Sequence, residues 1–161
     1  MRGDGVRNRF KEAAREAFQG LPMPQELTLE SLTQTVSDLR GRPIYVIETP
    51  KLTGKRICGL WIPKPEMEVV YHAEARGPLH RQQLVLHELS HMILHHDDQP
   101  GVNGQGIQVF KQISGETVHK ALARGDFQSD MEVTAEYLAD MLAAALRDAK
   151  REIHSYEEIF E

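Results

Sequence analysis

The stretch "LHELSHMILHH", Leu86 to His96, holds four of the chain's eight histidines. His87 and His91 are four residues apart, so on a helix they share a face with Cβ atoms roughly 5–6 Å apart. Two imidazoles at that spacing can converge on one ion, at about 2.0–2.1 Å from each nitrogen if the ion is zinc. Glu88 follows the first histidine and is placed to reach a water on the metal. This is the HExxH pattern of metal-assisted hydrolysis, in which the glutamate takes a proton as the water attacks a carbonyl.

A shuffled chain of this composition would contain HExxH somewhere with a probability of about 4%, so the pentapeptide alone is suggestive and its setting must carry the rest. A catalytic zinc takes three protein ligands and keeps an open position. His95 is one further turn along the same helix, where three rings cannot close round one ion unless the helix bends. Asp97 is chemically able, but Leu94 stands where the chain would need a glycine to turn. Glu132, Glu136 and Asp140 lie along one stripe of a later helix and could supply a carboxylate. Glu132 also has an ordinary reading, because Ser129-x-x-Glu132 has the form of a capping box. Spacing leaves these carboxylates open.

The elements that must position these residues follow from periodicity. Phe10, Ala13, Ala14, Ala17 and Phe18, then Leu29, Leu32, Val36 and Leu39, predict two helices within a helical lead-in over 1–40, the second stopped by Gly41. Residues 41–73 change to short runs rich in Ile, Val, Tyr and Trp, "RPIYVIE", "RICGLWIP" and "EMEVVYHA", which predict three strands. A small meander is expected, antiparallel or mixed with the last strand at an edge. Gly77-Pro78 starts the active helix, expected over 78–96. A loop over 97–128 follows, with a short helix around 116–124, and then an amphipathic helix over 129–150 carries Met131, Ala135, Leu138, Leu142 and Ala145. The acidic tail, 151–161, reads as a short helix or a frayed end.

The whole chain of 161 residues fits a single domain, 1–161, of α+β class. Its 40% apolar and 27% charged residues are a globular balance. The net charge of −5, without a basic stripe, argues against direct nucleic-acid binding. No apolar run approaches the roughly 20 residues of a membrane span, and the amino terminus lacks an apolar signal core, so a cytoplasmic location is expected. The single cysteine, Cys58, excludes an intrachain disulfide and a multi-thiolate zinc site.

"RQQLVLHELSHMILHH" followed by "MEVTAEYLADMLAAAL" resembles the ImmA/IrrE family of bacterial metallopeptidases, over about Leu39 to Leu146. The resemblance implies a zincin-like fold, with a three-stranded sheet packed on the HExxH helix and on a later Glu-bearing helix. It implies His87, His91 and Glu132 as ligands of one Zn2+ or another divalent ion, with Glu88 as the catalytic glutamate and Ala135 in the family's small-residue position. Glu136 is a departure, since many members carry Asn there; a carboxylate at that place could orient a histidine or compete for metal. The implied substrate is a protein, a helix-turn-helix repressor. The alternative from another class is a metal-stabilised interaction module that binds such a regulator without cutting it.

The remaining polar residues read more blandly. His95, His96, Asp97 and Asp98 suit a polar helix end, where His complements the dipole, with a second metal contact or a substrate-facing rim as the functional alternative. Tyr71 and His72 close a strand and read as strand filling, with an oxyanion role as the functional alternative. His80 and His119 are expected at the surface, Cys58 and Trp61 in the core.

Overall fold

The computed structural model of the protein describes residues 2–54, 59–98 and 125–160. Two helices lead in as the periodicity predicts. α1, Arg2–Gln19, buries Ala14 and half-buries Phe10, Ala17 and Phe18. α2, Leu29–Arg40, starts at a reciprocal cap: Thr28 Oγ1 accepts from Ser31 N at 3.0 Å, and Thr28 N donates to Ser31 Oγ at 2.8 Å. It stops at Gly41, whose φ of 68° is the left-handed conformation that glycine adopts without a Cβ penalty.

The strands are β1, Ile44–Glu48, β2, Gly59–Pro63, and β3, Glu68–His72, with a 3₁₀ turn at Pro50–Leu52 after β1. β2 and β3 form an antiparallel hairpin with Trp61 opposite Val70, and β1 joins β3 in parallel with Val46 beside Val70. The order is β1-β3-β2, so the expected meander with the last strand at an edge is corrected: the last strand is central. β3 has the composition for that place. Four of its five residues are buried, without the polar alternation of a strand that faces water on one side.

α3, Pro78–Ile93, packs against the sheet face that carries Ile44, Val46, Val70 and Trp61, burying Val85, Leu86 and Leu89. It ends short of residue 96. His95 turns the chain at φ 54°, and a 3₁₀ turn, His96–Asp98, follows. α4, Gly125–Phe160, is longer at both ends than the 129–150 expected. It packs against both α1 and α3 through Ala135, Leu138, Ala139, Leu142 and Leu146. Residues 99–124, with the short helix expected there and His119, lie outside the described residues, as does Cys58. The described part is α+β, with four α-helices and one mixed three-stranded sheet. No helix in it is long and apolar enough to cross a membrane.

Candidate metal centre

α3 presents His87 and His91 one turn apart, and α4 brings Glu132 across from them. Because α4 already runs through residue 129, Ser129 is not a helix cap, and the capping-box reading of Glu132 is corrected. The Glu132 carboxylate instead spans both rings, with Oε2 at 2.9 Å from His87 Nε2 and Oε1 at 3.2 Å from His91 Nε2. The two Nε2 atoms are 3.2 Å apart, the rings nearly perpendicular at 83°. A tetrahedral ion with bonds of about 2.0–2.1 Å holds its donors roughly 3.3 Å apart, so this spacing fits. Two imidazoles and a carboxylate suit zinc and several other divalent ions. The three residues form a group that could hold a metal ion.

The electrostatics reflect the same geometry. Burial pulls the His87 pKa down, but the hydrogen bond to Glu132 and the charges of Glu88, Glu132 and Glu136 outweigh it and leave it raised. Burial pushes Glu132 up, yet its hydrogen bonds to His87 and His91 hold it well below the usual carboxylate range. Both shifts describe one hydrogen-bonded ion pair. Glu88 is 6% exposed, and burial raises its pKa against the opposing pull of His91 and His87. A carboxylate tuned upward is a better proton acceptor and donor near neutrality than an ordinary one.

The other carboxylates go elsewhere. Asp97 Oδ2 is taken by Arg40 Nη2 at 2.6 Å, so it is a structural ion-pair partner. Glu136 and Asp140 continue the stripe of Glu132 along α4 and are exposed. The expected helix-end role of His96 is also corrected. The residue is 8% exposed, with Nδ1 at 2.7 Å from His91 Nδ1. Burial and the neighbouring His91 lower its pKa to about 4. His95 is exposed, as expected of a helix end.

Sequence reasoning passed over Gly59. It sits opposite His72 in the hairpin, and a Cβ there would lie 2.7 Å from Glu88 Oε1. The bare backbone is what admits the Glu88 carboxylate between α3 and β2. A glycine inside a strand-like run, as in "CGLWIP", is the signal that could have flagged it. His72 is buried on that same face, its Nδ1 at 2.8 Å from the Ala73 carbonyl, whereas Tyr71 alternates to the other face. Compared with protein-family models and with curated proteins, the chain matches none.

Proposed function

We propose that this protein is a metal-dependent endopeptidase of the ImmA/IrrE type, with a zincin-like arrangement of its sheet and two site helices. Its substrate is a helix-turn-helix transcription regulator, hydrolysed in the cytoplasm. The observation that carries the reading is the convergence of His87, His91 and Glu132 from two helices, with the Glu88 carboxylate buried beside them. A divalent ion bound there, zinc by preference, would polarise a carbonyl and acidify a water.

The chain's own residues do the rest. His87 and His91 would offer their Nε2 lone pairs to the ion, and Glu132 one negative charge. Glu88, with its pKa raised by burial, accepts a proton from the attacking water and returns it to the leaving amine. Gly59 keeps the room that carboxylate needs.

The test is Glu88→Gln. The variant is expected to keep stoichiometric metal while cleavage of a helix-turn-helix regulator supplied as substrate falls by at least about 100-fold, the lower end of what a positioned proton acceptor contributes. Full cleavage by that variant would sink the mechanism. Binding of the regulator without cleavage by either form would favour the interaction module.

A further inference from the structure

The two ring nitrogens of His91 face different ways. Nε2 faces His87 and Glu132, each at 3.2 Å. Nδ1 lies 2.7 Å from Nδ1 of His96, with the rings 60° apart. A contact that short between two nitrogens needs one proton between them, because two lone pairs or two N–H groups would repel. If His91 keeps its Nε2 lone pair for a cation, its proton sits on Nδ1, and His96 must be the acceptor.

His96 reaches that position through an unusual piece of backbone. α3 closes with Leu94 N donating to Ser90 O and His95 N to Met92 O, both at 3.0 Å. His95 then takes φ 54°, a left-handed conformation uncommon outside glycine, and the reversal folds His96 back onto the helix. The turn is tied down by Arg40, the last residue of α2. Its guanidinium donates to the Met92 carbonyl at 3.1 Å and pairs with Asp97 at 2.6 Å. The same group pairs with Glu68 on β3 and stacks over Trp61 on β2 at 4.8 Å. The residue after His96 is thereby anchored to the sheet.

We propose that His96 is a positioning residue of the metal centre: it accepts the Nδ1–H of His91, fixing that ring's tautomer and direction, and the Arg40–Asp97 pair holds it there. The inference rests on the reading of His87, His91 and Glu132 as metal ligands. Partners behind a metal-bound histidine commonly set its orientation and basicity. The usual partner is a carboxylate or a carbonyl; here it is a second imidazole, which accepts the bond without adding negative charge.

The experiment measures zinc affinity of the full chain by competition with a chromogenic chelator. His96→Leu fills the space but cannot accept, and is expected to weaken zinc binding by about tenfold or more. His96→Asn places an amide oxygen near the position of Nδ1 and should recover most of that loss, a rescue that a merely space-filling role would not give. Asp97→Asn should weaken binding in the otherwise unchanged chain and add nothing in the His96→Leu background. Melting of the chelator-treated proteins checks folding, and if His96→Leu does not fold, Asn and Asp97→Asn carry the decision. Unchanged zinc affinity in His96→Leu, an Asn variant no better than Leu, or unchanged affinity in Asp97→Asn overturns the proposal while the metal centre stands. A full additional loss from Asp97→Asn in the His96→Leu background overturns the part assigned to Arg40 and Asp97. A wild-type chain that binds no zinc overturns the metal-centre reading, and this inference with it.

Discussion

At Gly59 a single methyl group decides where the Glu88 carboxylate can sit. The added Cβ would meet Oε1 at 2.7 Å, Cγ at 3.2 Å and Cδ at 3.3 Å. The side chain is flexible, so it would move away from the strand and leave the fold intact. Gly59→Ala is therefore expected to retain metal and lose about 100-fold in cleavage rate, the order of loss that a displacement near 1 Å brings. Metal stoichiometry measured beside turnover checks it, and loss of metal in parallel would place Gly59 in the ligand frame instead. The raised pKa of His87 sets a second expectation. Above its ordinary 6.5 the ring still holds a proton that metal must displace, so as pH falls through that raised value affinity should drop. One displaced proton gives a slope of about tenfold per pH unit, readable by titration calorimetry in several buffers; a flat profile from pH 8 to 6 would contradict it. Local spacing was enough to single out His87, Glu88 and His91 as candidates. Glu132 needed the resemblance to separate it from its stripe. Gly59, Arg40 and His96 escaped because each acts through a contact set by strand register or chain reversal, which spacing along one helix does not encode.

Elements here owe their ends to short-range chemistry and their arrangement to burial. The α2 cap is a case of the first, since Thr28 and Ser31 satisfy each other's amides before the helix bonds begin. Thr28→Ala should cost about 1 kcal/mol, seen as a lower chemical-denaturation midpoint with an unchanged slope. No change in midpoint would mean that water replaces the cap. The stop at Gly41 was legible for the same local reason. The end of α3 was not, because His95 carries a conformation its residue type does not announce. Strand order was hidden too. "EVVYH" reads as a strand, but only its burial between β1 and β2 shows that it is central. The length of α4 was understated because its expected start was drawn at a capping signal that lies inside the helix.

Across the whole molecule, α4 lies against both α1 and α3, and Glu132 is its contribution to the centre. A metal bound by two residues of α3 and one of α4 ties together helices that are distant in sequence. Such an ion would bind the folded state far better than the unfolded one, and so would stabilise the fold. At a free metal concentration of about 100 times Kd the gain is roughly 2.7 kcal/mol. For a domain of this size that corresponds to a rise in melting temperature of roughly 5–10 °C. Adding a chelator should reverse it. Glu132→Ala separates this linkage from ordinary packing, because its carboxylate is more than half exposed and buries little apolar surface. In that variant the metal-free melting temperature should fall only by the small amount that a largely exposed pair with His87 and His91 contributes, and most of the metal-induced rise should vanish. Glu88→Gln should keep the rise, since its carboxylate is assigned to the proton and not to the ion. A rise that survives Glu132→Ala undiminished would show that the stabilising ion sits elsewhere, and would remove α4 from the centre.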